Sequence, residues 1–380
     1  MSTRTVRFGT RVPSGWVVGQ VGGIPVVLAP SWVLIAAVLV LLYYPVVQRL
    51  VPTVGTATVV GTTVAFVVML LVSVLLHELA HGFSAQRLGG RPREYVLTFW
   101  GGHTSFEQEL PRPGGSALVA VAGPAANGLI AAGAWLVLEA TALSGPGALL
   151  LYGAVISNGL VAAFNLLPGL PLDGGHVLEA LVWALTGDRT RGTVAAAWIG
   201  RIVAIGVVVV VLVLPLLRGS RPDLGSIWMV LIAFLLWTGA GQALRTAGAR
   251  RQAAGLDLRR LAVPAVAVDA NADLDQAMLA ARAGGHVVLV EQGRPVALLE
   301  TQAAGQVPPG ARAGTPATAA ARALHPQQIL TVATGLPAVE AVAAAQHHGS
   351  VVVLLDPRTG ETGVVEVTAV ARAMGARRRP

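Results

Sequence analysis

Leu75-Leu76-His77-Glu78-Leu79-Ala80-His81 closes an apolar run that begins near Val54, and this junction of lipid-soluble sequence with two imidazoles and a carboxylate decides how the rest of the chain is read. In a helix, residues four apart lie on one face one above the other, so His77 and His81 are positioned to share a metal ion. Glu78 sits beside them, within reach of a water on that ion, which is the arrangement of a zinc hydrolase. The bland alternative is a pair of core histidines satisfied by backbone partners. Ionisable groups in a spanning helix cost on the order of 2 to 3 kcal/mol each and persist where they have partners, and a divalent cation is such a partner.

The 380-residue chain is 54% hydrophobic and only 12% charged, about half the charged share of an ordinary soluble protein. Its mean hydropathy is +0.67, and its apolar residues come in runs long enough to cross about 30 Å of hydrocarbon. Such runs occur at Pro30 to Val47, Val54 to Leu76, Gly115 to Leu143, Ala148 to Leu167, Ala195 to Leu217 and Ile227 to Leu244, predicting a polytopic α-helical membrane protein of about six spans. The net charge of +8 comes entirely from arginine. Arg4, Arg7 and Arg11 precede the first span, Arg87, Arg91, Arg93 and Arg112 lie between the second and third, and Arg189 with Arg191 between the fourth and fifth. Arg245, Arg250 and Arg251 follow the sixth span, and Arg377 to Arg379 stand near the end of the chain. The opposite loops carry fewer, so both termini are expected in the cytoplasm; the lack of Lys with abundant Ala, Gly and Val suggests a GC-rich bacterial genome, and hence the inner (plasma) membrane of a bacterial cell. Membrane orientation accounts for these charges more simply than nucleic-acid binding. The first apolar run starts near Ile24 and lacks a signal-peptide layout. Cysteine is absent, which excludes thiol catalysis and Cys-based metal sites, leaving histidine and carboxylate as ligands.

Two histidines leave a zinc site needing a third protein ligand and an open position. Asn165-Leu166-Leu167-Pro168-Gly169-Leu170-Pro171-Leu172-Asp173-Gly174-Gly175-His176 breaks out of the fourth span, with prolines that prevent regular helix and paired glycines that allow close backbone approach. Asp173, the first Asp in the chain, is the best candidate, because an acid on irregular backbone at membrane depth belongs where it lines a cavity. It also suits a helix cap, and His176 is a rival ligand three residues on.

From about Leu256 the composition changes to short β-branched runs alternating with Ala-rich helical runs, marking a separate soluble domain over 256–375. Ala265 to Val268, Leu274 to Ala283, His286 to Val290 and Val296 to Leu299 are echoed by Ile329 to Val332, Ala338 to His347, Ser350 to Leu355 and Gly363 to Val367. A β-α-β-β repeat of about 60 residues is implied, with an exposed linker over Gln306 to Pro316. His286, His325, His347 and His348 lack ligand spacing and read as solvated or structural.

H-E-x-x-H ending a transmembrane helix, followed about 90 residues later by N-x-x-P-x-x-P-L-D-G-G, resembles the site-2 protease family of intramembrane zinc metalloproteases. The likeness extends over Gly123-Pro124-Ala125-Ala126-Asn127 and to a C-terminal repeat similar to a cystathionine-β-synthase-type (CBS) domain pair. It implies residues 1–29 as a cytoplasmic N-terminal segment, 30–250 as a transmembrane protease domain and 256–375 as a tandem CBS-like cytoplasmic domain. It also implies one zinc ion held by His77, His81 and Asp173, Glu78 as general acid/base, and Asn165 lining the cleft near the scissile bond. The expected reaction is attack of zinc-bound water on a peptide carbonyl, with Glu78 taking the proton and later returning it to the leaving amine. The implied substrate is a single-span membrane protein, such as an anti-sigma factor, cleaved in or near its membrane segment during regulated intramembrane proteolysis. The segment Tyr95 to Phe106 is expected to form a hairpin whose free edge, at Leu97 or Phe99, pairs with unwound substrate, and His103 is a further candidate metal contact. In the CBS-like halves, Ala303 and Ala369 stand where the family carries a ribose-binding Asp. The pair is therefore expected to dimerise or gate, with nucleotide binding doubtful. The competing class is an ion or metal transporter with a regulatory CBS pair, whose intramembrane His, Glu and Asp would line a path.

Overall fold

The computed structural model describes residues 11–12, 15–98, 101–108, 110–219, 221, 223–356 and 361–376. Arg4, Arg7, Phe99 and Arg377 to Arg379 lie outside the described residues. The chain divides into two compact units, Met1–Arg245 and Thr246–Pro380.

Among the described residues, six helices are long and apolar enough to cross a membrane: Pro30–Leu50, Thr56–Arg87, Pro113–Ala140, Gly145–Asn165, Arg189–Leu217 and Gly225–Ala254. We label them α1 (Pro30–Leu50), α2 (Thr56–Arg87), α3 (Pro113–Ala140) and α4 (Gly145–Asn165), then, past the shorter α5 (Asp173–Thr186), α6 (Arg189–Val208), α7 (Leu214–Leu217) and α8 (Leu224–Ala254). A π-turn, Val209–Val213, carries α6 into α7. Local chemistry sets the ends. Proline stands in the first turn of α1, α3 and α4, where its missing N–H costs nothing. Gly187 ends α5 with φ of 71°, and Asp188 then caps α6 by accepting from the Thr190 and Arg191 N–H groups. Leu41, Leu129, Leu160 and Phe234 are among the large apolar side chains left exposed along the spans, as lipid contact requires.

A five-stranded sheet packs beside these helices in the order β1 (Arg11–Val12), β2 (Gly15–Val21), β3 (Ile24–Leu28), β4 (Arg91–Thr98), β5 (Gly101–Gln108). β2 and β3 form a hairpin around Gly22-Gly23, both at positive φ. β3 runs parallel to β4, and the Ala29 N–H continues the ladder to the Leu97 carbonyl at 2.8 Å. Residues 15–28, expected only as a tail before the first span, are thus strands. The hairpin expected over Tyr95 to Phe106 is present as β4 and β5, but its free edge is not at Leu97. Leu97 lies on an interior strand, 2% exposed, because β3 covers that side; the open edge belongs to β5. Ile24, Val26, Tyr95 and Leu97 pack with Leu79, which fastens the sheet to the last turns of α2.

Between α4 and α5 the chain folds back on itself. A Cβ on Gly175 would lie 2.3 Å from the Gly169 carbonyl carbon, so glycine there lets α5 start against the loop that precedes it. The Leu170 N–H donates to the Ala196 carbonyl on α6 at 3.0 Å, and Leu170 packs with Ala196, Ala197 and Ala240. Asp173 is delivered at the first residue of α5.

The second unit carries β6 (Val263–Asp269), α9 (Leu274–Gly284), β7 (His286–Glu291) and β8 (Arg294–Leu299), then the short helices α10 (Thr301–Gln306) and α11 (Pro309–Arg312). β9 (Ala321–Ala323), β10 (Ile329–Leu330), α12 (Gly335–Ala345), β11 (Val351–Leu355), β12 (Thr362–Glu366) and α13 (Val367–Ala376) follow. One seven-stranded sheet has the order β10-β11-β12-β6-β7-β8-β9. Each half has a parallel pair and then an antiparallel one, β6 with β7 and β8, β10 with β11 and β12, joined where β12 meets β6. The repeat read from the sequence is therefore present. Val288, Leu298, Val353 and Val364 form a core shared by both halves.

Candidate metal centre

The site is built on α2, where His77, Glu78 and His81 are 7%, 5% and 8% exposed. The i, i+4 spacing brings the two Nε2 atoms to 3.1 Å. α3 crosses so close that a Cβ on Gly123 would lie 2.4 Å from His81 Nε2 and 2.6 Å from His77 Nε2. Only a residue without a side chain leaves space in front of both rings.

Both tautomers are fixed by the chain itself. His81 Nδ1 lies 2.7 Å from the Val119 carbonyl, which only accepts, so Nδ1 carries the hydrogen. For His77, two amides set the tautomer. Asn158 Nδ2 donates to the Ala154 carbonyl at 3.0 Å, which turns Asn158 Oδ1 toward Asn127. Asn127 Nδ2 donates to that oxygen at 2.7 Å, which turns its own Oδ1 toward His77 Nδ1. His77 Nδ1 must then donate, and in the neutral form of each ring Nε2 is left with a bare lone pair.

Those lone pairs face Asp173. Its Oδ2 is 3.1 Å from His77 Nε2 and its Oδ1 is 3.4 Å from His81 Nε2, and Oδ2 is buried with no hydrogen-bond partner among the described residues. Three acceptors thus converge with no hydrogen between them, a repulsive arrangement that a cation relieves. His77, His81 and Asp173 each offer an atom within 4.8 Å of the others, and two imidazoles with a carboxylate are a donor set suited to zinc.

The other expected residues fall around this centre. Glu78 Oε2 accepts from the Thr104 hydroxyl at 2.8 Å, and a Cβ on Gly102 would lie 2.4 Å from Glu78 Cγ, so β5 rests directly on the carboxylate. Asn165, at the end of α4, lines the same cleft of about 800 Å³ as Glu78, Gly102 and Asp173. His176 also lines it but belongs to a different group: its Nδ1 donates to Glu179 Oε2 at 3.2 Å, and it is no part of the metal cluster. His103 is exposed on β5 and is likewise outside the cluster. In the second unit, His325 and His348 stack with ring centroids 3.6 Å apart.

Sequence reasoning alone does not single out Asn158 or Glu179, and gives Thr104 and Arg189 no part in the site. Glu179, 4% exposed, accepts from Arg189 Nε at 2.9 Å and from Thr193 at 3.1 Å, as well as from His176. Burial pushes its carboxyl up, but the hydrogen bonds and charges of His176 and Arg189 outweigh this and hold it down to about 2. Tyr95, whose phenol oxygen is buried without a partner beside Gly82, is shifted upward by burial and then by the Glu78 charge.

Fold and site together define a multi-pass helical membrane protein with a His-His-Asp cluster that could hold a metal ion and a buried glutamate next to it in the sequence. Residues 65–147 and 139–213 match the model of Peptidase family M50, in agreement with the resemblance carried by the motifs. "Putative zinc metalloprotease sll0528" of Synechocystis sp. is 34% identical over 242 residues, covering 62% of this chain and 61% of that protein. "Putative zinc metalloprotease Rip3" of Mycobacterium tuberculosis is 34% identical over 177 residues, covering 46% of this chain and 44% of that protein. The chain thus spans about three fifths of one relative's length and under half of the other's. A solved site-2 protease from Methanocaldococcus jannaschii gives a TM-score of 0.41 at 23% identity, covering 60% of this chain and 94% of that one.

Proposed function

We propose that this chain is an intramembrane zinc metalloprotease of the site-2 type, which hydrolyses a peptide bond in or near the membrane segment of an anchored regulatory protein such as an anti-sigma factor. The observation that carries this reading is the convergence of two imidazole Nε2 atoms and the Asp173 carboxylate, with Glu78 adjacent in the sequence. His77, His81 and Asp173 would hold the metal, and the named relatives point to zinc. Bound there, zinc supplies a Lewis acid that polarises a carbonyl and lowers the pKa of water.

The rest is done by the chain. Asn127 and Val119 hold the imidazoles in the tautomer that presents Nε2. Glu78 is placed to accept a proton from the attacking water and return it to the leaving amine, with Thr104 orienting its carboxylate. A helical substrate cannot present a carbonyl that is hydrogen-bonded within its own helix. The open edge of β5 borders the cleft at Gly101 to Thr104 and offers ladder partners to an unwound segment. We place the protein in the bacterial cell membrane with both termini cytoplasmic, and read the second unit as a CBS-like pair that dimerises or gates.

The test compares Glu78→Gln and Glu78→Ala in purified protein. A protease keeps its zinc in both and loses cleavage of a single-span substrate. A transporter retains metal passage in Glu78→Gln and shows no cleavage to lose, which would overturn the reading.

A further inference from the structure

Arg201 lies within the fifth span, about 18 Å along the helix from Arg189 at 1.5 Å per residue. Arginine stays charged in any protein environment. Its guanidinium carbon is 5.0 Å from the ring centroid of Trp198 and 4.7 Å from that of Trp237 on α8. Among the described residues its buried Nε has no hydrogen-bond partner and no carboxylate pairs with it. Trp198 is 51% and Trp237 42% exposed, with Ile202 and Phe234 exposed around them. The cation therefore sits on a lipid-facing flank between two indoles and lacks an anion.

An indole attracts a guanidinium through its face, which leaves the in-plane N–H groups to donate elsewhere, and that fork matches phosphate oxygens. Side chains on a helix lean toward its N-terminus, and the contact with Trp198, one turn earlier, shows that Arg201 does so. Its head thus points to the end of α6 that carries Arg189 and Arg191. Basic pockets between spanning helices near such an end take anionic headgroups, and tryptophan is enriched at that level of the bilayer. We propose that Arg201, Trp198 and Trp237 form a binding site for the phosphate of an anionic phospholipid on the outer flank of α6 and α8. At the same level these helices grip the loop that delivers Asp173: Leu170 bonds to Ala196, and a Cβ on Gly239 would lie 2.6 Å from Pro171 Cγ. The lipid would brace the pair of helices that holds the metal-site loop.

The full chain, purified in detergent, is titrated with phosphatidylglycerol or phosphatidylcholine and followed by native mass spectrometry. The expected result is a preference for phosphatidylglycerol of about fivefold, lost in Arg201→Gln, kept in Arg221→Gln, and not displaced by inorganic phosphate at millimolar concentration. In the unaltered protein, phosphatidylglycerol with brominated chains should quench tryptophan fluorescence more than brominated phosphatidylcholine does, a readout independent of how the variant folds. Equal retention of the two lipids, unchanged preference in a folded Arg201→Gln, or displacement by inorganic phosphate would each overturn the proposal.

Discussion

Asn127 Oδ1 accepts the hydrogen on His77 Nδ1, and the direction of that bond is set three residues away in space, at the Ala154 carbonyl, through Asn158. A polar chain buried among apolar helices is costly unless every member is satisfied. Here satisfaction has a chemical result, because it leaves His77 with its Nε2 lone pair toward Asp173.

Asn127→Leu should therefore weaken zinc retention by about 10- to 100-fold, the usual cost of losing such a supporting partner. Competition with a chelator of known affinity measures it. Asn158→Leu acts one step further out and should give a smaller loss in the same direction; equal or absent effects from both would remove the amide chain from the account.

Gly123→Ala places a methyl group in front of both Nε2 atoms. Overpacking costs about 1 to 3 kcal/mol, so metal affinity should fall by roughly 5- to 150-fold, with cleavage, while α3 still inserts. Full zinc occupancy in this variant would show that the space between α2 and α3 is not needed for the metal.

Glu179 gives a pH signature away from the metal. Its carboxyl is held down to about 2 in the fold from an ordinary 4.5, so its ionised form stabilises the folded state above pH 4.5 and that contribution is lost as pH falls toward 2. The effect is at most about 3 kcal/mol. Melting temperatures of the unaltered protein and Glu179→Gln should differ most at neutral pH, draw together below pH 4.5 and converge only as pH approaches 2. Parallel curves across that range would contradict the ion-pair geometry.

The edge of β5 is tested by placing proline singly at His103, Ser105 and Phe106. Strand N–H groups alternate between the neighbouring strand and the open side, so cleavage should fall most where the lost N–H faced outward, with zinc content unchanged. A uniform effect at all three positions would argue for general disruption of the sheet.

The spans, the H-E-x-x-H pair and the distant Asp173 were legible because each rests on a strong local signal: uninterrupted apolar length, a fixed helical spacing, and a lone acid beside prolines and glycines. The β-α-β-β repeat showed itself by recurrence. The sheet before α1 was not foreseen, although Gly22-Gly23 between Trp16 to Val21 and Ile24 to Leu28 is a hairpin signal. Its second run merges in hydropathy with the first span, and its partner β4 is some 60 residues away. That parallel pairing also moved the free edge from Leu97 to β5. Asn158 and Arg201 stand as single polar residues in apolar runs, a pattern that marks a functional position but not its partner.

The central claim is that His77, His81 and Asp173 hold one zinc ion, and X-ray absorption at the zinc edge of the purified chain tests it most directly. The zinc shell should contain two imidazole nitrogens at about 2.0 to 2.1 Å with oxygens at about 2.0 to 2.2 Å, losing one imidazole in His81→Ala and an oxygen in Asp173→Ala. A shell of oxygens alone, or one unaltered in both variants, would contradict it.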